Sequence, residues 1–164
     1  LRKKIKHTNT IICFEPEPRI FAELQKCAKE HDKKTAKNIV CFENAVHQYD
    51  GRFSFLSGHG LGSKLDPSGT ISVECITLDK ALENFKPSFI SMDIEGSEIA
   101  ALNGAKLTIQ KHRPDLGICV YHYPEQIAEV ITKVNNFDRG YKFFVRNYTG
   151  YLTETVVYAC HTQR

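Results

Sequence analysis

The densest set of reactive side chains lies in Ser91-Met92-Asp93-Ile94-Glu95-Gly96-Ser97-Glu98, with three carboxylates at positions 93, 95 and 98. Apolar residues precede Asp93, so it closes a buried strand. Gly96 permits a tight turn and Ser97 suits a helix N-cap. Glu98 also reads as a first-turn acid favoured by the helix macrodipole; Asp93 has no such structural explanation. Carboxylates at a strand-to-helix turn can orient a hydroxyl group or take its proton. The second chemical segment is Tyr121-His122-Tyr123-Pro124-Glu125. If two parallel strands joined through one helix end at Asp93 and His122, the imidazole meets the carboxylate and can serve as general base. A plain turn histidine is the competing reading.

Other strand ends carry weaker signals. Glu15 follows an apolar run and can accept two hydrogen bonds from the vicinal hydroxyls of a ribose; it reads equally as a helix-start carboxylate. The amide of Asn44 offers both a donor and an acceptor to an adenine edge, or it is a turn residue. Gly58-His59-Gly60-Leu61-Gly62 has glycines enough for a phosphate loop, but no helix follows it. It reads as a loop, either plain surface or covering a site, with Ser63 and Lys64 as contacts in the second case.

These residues need elements to hold them, and the patterning supplies alternating strands and helices. Strands are expected at Thr10–Glu15, Asn38–Phe42, Arg52–Leu56, Ile71–Thr77, Ser88–Asp93, Leu116–Tyr121, Tyr141–Val145 and Thr155–Cys160. Helices are expected from Pro18 to about His31, over Leu78–Phe85, over Ser97–His112 and over Pro124–Val134. In Ser97–His112, Ile99, Leu102, Ala105 and Ile109 share a face; in Pro124–Val134, Ile127, Val130, Ile131 and Val134 do. Arg52–Leu56 and Ile71–Thr77 alternate as an antiparallel pair would, joined by Ser57–Gly69. The short link Arg146–Glu154 makes the last two strands a hairpin. The whole predicts an α/β fold: a mostly parallel sheet with helices on both faces and a C-terminal antiparallel strand pair. Ligands of such sheets bind at the carboxyl ends of the strands.

Composition bounds the function. The 164 residues suffice for one core and one domain, 1–164. A net charge of +3 does not argue for nucleic acid. The basic residues between 2 and 37 read as a solvated helix face. No apolar run is long enough for a bilayer, and no signal-peptide pattern is present. Cys13, Cys27, Cys41, Cys75, Cys119 and Cys160 form no Cys-x-x-Cys pair, so no zinc site is expected. They read as reduced thiols of a cytoplasmic protein.

Taken in order along the chain, these segments resemble the FkbM family of methyltransferases. The matching stretches are Phe14-Glu15-Pro16-Glu17-Pro18, Asn44-Ala45-Val46 with Asp50-Gly51, Ile76-Thr77-Leu78-Asp79, Met92–Glu98, Leu102-Asn103-Gly104-Ala105 and Arg113-Pro114, followed by Tyr121–Pro124 and Gly140-Tyr141. The resemblance implies a Rossmann-like class I methyltransferase fold, S-adenosyl-L-methionine as cofactor and a hydroxyl acceptor on a sugar, glycan or small metabolite. By position it implies that Glu15 binds the ribose, that Asn44 and Ala45 lie by the adenine, and that Asp93 faces the transferred methyl group. Family members open with a strand and an acidic glycine loop around the methionine part of the cofactor, and nothing before Glu15 matches it. Leu1–His7 matches the tail of the helix after that loop. Leu1 is expected not to be a natural start, the first central strand is expected to be missing, and the chain as numbered is expected to bind cofactor weakly or not at all.

Methyl transfer to a neutral hydroxyl needs alignment and a base. Asp93 or His122 is expected to be that base, with Glu95 and Glu98 positioning the acceptor. A magnesium-assisted version is compatible with the carboxylates, but no complete ligand set is visible in the sequence, and no metal ligand is assigned. A nucleic-acid amino methyltransferase would need an Asn/Asp-Pro-Pro-aromatic turn where this chain has Asp93-Ile94-Glu95-Gly96. A nicotinamide oxidoreductase would share Glu15 but leave the acidic cluster unexplained. A truncated, inactive domain serving as a binding or scaffold module is the non-enzyme alternative. Composition names neither the acceptor nor the oligomeric state.

Overall fold

Three small sheets, each containing one parallel strand pair, organise the computed structural model, which describes residues 8–30, 36–58, 62–150 and 153–162. In the first, β1 (Thr8–Phe14) runs parallel to β2 (Ala36–Phe42), with Cys13 opposite Cys41 and Phe14 opposite Phe42. The two phenylalanine rings stack at 5.1 Å. Helix α1 (Pro18–Glu30) makes the crossover. It begins on Pro18, whose fixed φ and missing N–H suit a first helical turn, and it buries Phe21.

The second sheet has the order β3-β6-β4-β5, with β3 (Ala45–Val46), β4 (Gly51–Leu56), β5 (Lys64–Leu65) and β6 (Ile71–Ile76). Strand β3 is parallel to β6, while β4 is antiparallel to both β6 and β5. Ala45, Phe55, Val73 and Cys75 form a small core on this sheet.

The third sheet carries the larger core. Its order is β7-β8-β10-β9, with β7 (Phe89–Met92) parallel to β8 (Asp115–Cys119). β10 (Thr155–His161) lies antiparallel to both β8 and β9 (Tyr141–Asn147). Leu102, Ala105 and Ile109 from the β7–β8 connection are fully buried against it, as are Val130 and Val134 of α5 (Gln126–Phe137). The apolar stripes expected from helical spacing are therefore the buried ones. Ile99, Ile127 and Ile131 flank the same core, half-buried.

The expectation of a mostly parallel sheet is overturned. Strand–helix alternation holds from β1 to β2 and from β7 to β8. The antiparallel pairing expected for 52–56 with 71–77 and for the last two strands is present, and β10 also wedges between β8 and β9, so the second and third sheets are mixed. The seven-residue link between β9 and β10 forces their antiparallel pairing, because a parallel return needs a crossover of a dozen or more residues.

The expected helix Ser97–His112 is two helices, α3 (Glu98–Asn103) and α4 (Lys106–His112). At the break, Gly104 lies so close to the His47 carbonyl that a Cβ would collide with it. Asp79 accepts hydrogen bonds from Leu107 N (3.1 Å) and Thr108 N (2.7 Å), satisfying first-turn donors of α4 from outside the helix. α4 ends on Arg113 in the left-handed region (φ 51°), and Pro114 follows. Thr77, not expected as a cap, accepts from Lys80 N at the start of α2 (Leu78–Ala81), which is shorter than Leu78–Phe85. Ser97 makes no capping bond. α5 starts two residues after Pro124 and runs three past Val134. Leu1–His7, His31 and residues 59–61 lie outside the described residues. No helix among the described residues is long and apolar enough to cross a membrane.

Candidate functional site

Parallel pairing of β7 with β8 places Met92 beside Ile118. The segments that leave these strands at their carboxyl ends, Asp93–Ser97 and Val120–Glu125, therefore emerge side by side. Asp93 leaves β7 half-exposed (side chain 51%). The turn after it needs left-handed backbone at Glu95 (φ 55°) and Gly96 (φ 95°). Gly96 also lies against the Tyr123 ring: a Cβ at this position would come within 2.5 Å of Tyr123 Cε2, so a side chain there must displace that ring as well as adopt a left-handed backbone.

Glu98 begins α3 and is fully buried (0%). Its Oε1 accepts from Ile94 N (3.0 Å) and Gly96 N (3.4 Å), closing the turn from the helix side. Its Oε2 accepts from Gln126 Nε2 at 2.7 Å. Gln126 is itself buried at the start of α5, and its Oε1 accepts from Tyr123 N at 3.2 Å. One buried carboxylate–amide pair thus ties the β7–α3 turn to the β8–α5 turn.

His122 stands between the acids. Its Nε2 is 3.7 Å from Asp93 Oδ1 and 3.3 Å from Glu95 Oε2, and its Nδ1 is 3.3 Å from Glu98 Oε1. The side chain is 10% exposed, and neither ring nitrogen has hydrogen-bond geometry to a partner. The short separations are therefore electrostatic proximity, not directed bonds. The Tyr121 hydroxyl donates to Asp93, 2.9 Å from Oδ1 and 3.1 Å from Oδ2. Burial, then the Asp93 contact, raises the Tyr121 pKa, so the phenol stays a donor. Burial, with Asp93 second, pushes the Cys119 thiol up to about 12.

The predicted meeting of Asp93 with His122 is present, and Glu95 joins them. Glu98 has no surface to offer an acceptor, so its predicted role of contacting one gives way to holding the turn and facing His122. Asp93, Glu98 and His122 also bring ligand atoms within 4.8 Å of one another, a metal-competent grouping not seen in the sequence.

The remaining predicted residues lie on other elements. Glu15 follows β1, half-buried, and its Oε1 accepts from Glu17 N at 2.8 Å. Burial raises its pKa, opposed by that N–H and reinforced by the Glu17 charge. Asn44 precedes β3 and donates through Nδ2 to the Glu74 carbonyl at 3.4 Å. The Ala45 side chain is buried in the small core. Ser63 and Lys64 enter β5, where Lys64 pairs with Leu56; the Ser63 hydroxyl is buried without a partner.

Three positioning residues are not among those the sequence singles out. Glu17 is buried and accepts from Ser57 Oγ (2.7 and 2.8 Å) and Gly58 N (3.4 Å), fastening the end of β4 to the β1–α1 turn. Tyr121 is visible only as part of a segment. Gln126 carries a signal: it shares the i, i+4, i+8 stripe with Val130 and Val134, so a polar residue on that stripe needs a buried partner.

The sequence profile of the methyltransferase FkbM domain matches residues 2–143. Among solved structures, the fold is similar to the crystal structure of methyltransferase FkbM from Methylobacillus flagellatus KT, with a TM-score of 0.74 at 21% sequence identity. That similarity covers 92% of this chain and 36% of the other, so the chain spans little more than a third of its neighbour. No curated protein matches the sequence.

Proposed function

This chain belongs to the FkbM methyltransferase family, and on that premise we propose that it serves methyl transfer from S-adenosylmethionine to a hydroxyl oxygen of a sugar, glycan or small metabolite. The observation that carries this reading is the exposed Asp93 carboxylate, fixed by Tyr121 and backed by buried His122 and Glu98, at adjoining carboxyl ends of parallel strands. We take residues 1–164 as one Rossmann-like methyltransferase domain. A cytoplasmic setting is consistent with six free cysteines.

Glu15 fits a ribose. Its carboxylate sits at the end of a parallel strand, with Oε1 anchored by Glu17 N and Oε2 left to accept from hydroxyls. Asn44 has its Nδ2 committed to Glu74 and its Oδ1 available for an adenine amino group, beside Ala45. S-adenosylmethionine, when bound, supplies an electrophilic methyl group on a sulfonium. The chain's own part is alignment and proton removal. Asp93 accepts the hydroxyl proton as the acceptor oxygen takes the methyl group. Glu95, partly exposed beside it, orients the acceptor, and Ser63 and Lys64, at the start of β5, are assigned as further acceptor contacts. Glu98 positions the Asp93–His122 pair from behind.

Incubation of the protein with isotope-labelled S-adenosylmethionine and a glycan or polar-metabolite extract, read by mass spectrometry, tests this. Label on an oxygen of an extract component is expected. Label only on nitrogen or carbon would refute the hydroxyl assignment. No transfer of label to any extract component, even at millimolar S-adenosylmethionine, would remove the cofactor assignment and favour a scaffold.

A further inference from the structure

We infer that Asp93, Glu98 and His122 form a binding site for one divalent first-row metal ion, of which Mn²⁺ is the type. Three observations lead there independently of any catalytic role. First, the side chains present ligand atoms that all lie within 4.8 Å of one another. Ligand atoms that neighbour each other around an ion of this size lie roughly 3 to 3.5 Å apart and opposed ones roughly 4 to 5 Å apart, given metal–ligand bonds of about 2.1 to 2.5 Å. The cluster's separations are of the size that ligands of one ion show.

Second, His122 is nine-tenths buried, and both its nitrogens are shielded from solvent without a hydrogen bond. A buried polar group left unbonded costs roughly 1 to 3 kcal/mol, and an imidazole lone pair directed at a cation removes that cost at one of the two nitrogens. Third, the cluster is rich in acids. Three carboxylate side chains, Asp93, Glu95 and Glu98, surround one imidazole. Among the described residues no lysine or arginine makes an ion pair with it.

The surroundings are those of a metal site. Glu98 is locked by Ile94 N, Gly96 N and Gln126 Nε2, and Asp93 is locked by the Tyr121 hydroxyl. Hydrogen bonds to ligating carboxylates fix their orientation in this way. A mixed set of carboxylate oxygens and one imidazole nitrogen favours Mn²⁺ or a neighbouring transition ion over Mg²⁺ and Ca²⁺, which prefer oxygen alone. The ion's role, unlike its binding, rests on the methyltransferase reading. Asp93 takes the proton more readily from a hydroxyl that a Lewis acid coordinates, because coordination makes that hydroxyl far more acidic.

The test uses the full chain, stripped with a chelator and titrated with MnCl₂ by calorimetry and electron paramagnetic resonance. One saturable ion per chain is expected, with ¹⁴N coupling from an imidazole ligand. Asp93→Asn and His122→Gln should each weaken binding by about tenfold or more. The ¹⁴N signal is read on the unaltered protein, so it holds even if His122→Gln does not fold. Absence of saturable binding up to millimolar Mn²⁺, binding without nitrogen coupling, or affinity unchanged in a folded Asp93→Asn variant would overturn the site. Label transfer at millimolar S-adenosylmethionine, measured separately, keeps the two ideas apart. Mn²⁺ binding without it sinks the methyltransferase reading alone, and the reverse result sinks the metal site alone.

Discussion

Each of the three acids in the cluster has a different exposure, and exposure divides their roles. Asp93 is the acid an acceptor can reach, and Glu98 is the one it cannot. Asp93→Asn keeps the shape and the Tyr121 contact but removes the base. Its turnover should fall by about 100-fold or more, with S-adenosylhomocysteine affinity nearly unchanged. Initial rates and calorimetry check this pair of outcomes; undiminished turnover removes Asp93 from the role. Gly96→Ala combines a left-handed backbone with a collision against Tyr123. A loss of about 1 to 3 kcal/mol in denaturant-derived stability is expected. The Asp93 cluster is legible in the sequence because strand burial leaves that acid without a structural excuse. The burial of Glu98 is not, because a first-turn glutamate looks the same whether it faces water or a histidine from the next strand. Glu17 is hidden likewise: between two prolines it reads as a turn acid until Ser57, 40 positions away, donates to it.

At the scale of elements, periodicity locates the buried faces of α3, α4 and α5 but not the boundaries. The break at Gly104 arises from the approach of the His47 carbonyl, and the start of α4 is satisfied by Asp79 from another helix. Both causes act through space, which spacing along the chain does not encode. The two-residue strands β3 and β5 are invisible for a related reason: Ala45–Val46 is a strand only because Cys75–Ile76 lies alongside. Asp79 offers a direct check. Asp79→Ala should cost about 1 kcal/mol, the ordinary worth of a helix cap, seen as a lower urea midpoint. Asp79→Asn, which still accepts hydrogen bonds, should recover much of it.

For the molecule as a whole, pH acts through groups joining distant segments. Asp138 meets Arg113 at 3.1 Å and His161 at 3.4 Å. The Gly140 N–H, against the opposing effect of burial, and then His161 and Arg113 hold its pKa below the usual carboxylate range. A depressed folded pKa contributes stability that is complete above the unfolded value of about 4 and is lost as pH falls through the folded one. Urea midpoints measured across acidic pH should therefore drop less below about pH 4 in Asp138→Asn than in the unaltered chain; parallel curves would exclude Asp138 as a source. At the alkaline end, burial pushes the Cys75 thiol up to about 11, while Cys27 is exposed. Iodoacetamide at mildly basic pH should alkylate Cys27 well before Cys75, as peptide mapping would show. The order β8-β10-β9 has a consequence in time. Residues 155–161 sit between two strands that precede them, so on the ribosome β8 and β9 emerge with nothing yet between them. Their shared core closes only when β10 clears the exit tunnel. Until then the nascent chain presents open strand edges, which makes this the stage at which a chaperone would have most to hold.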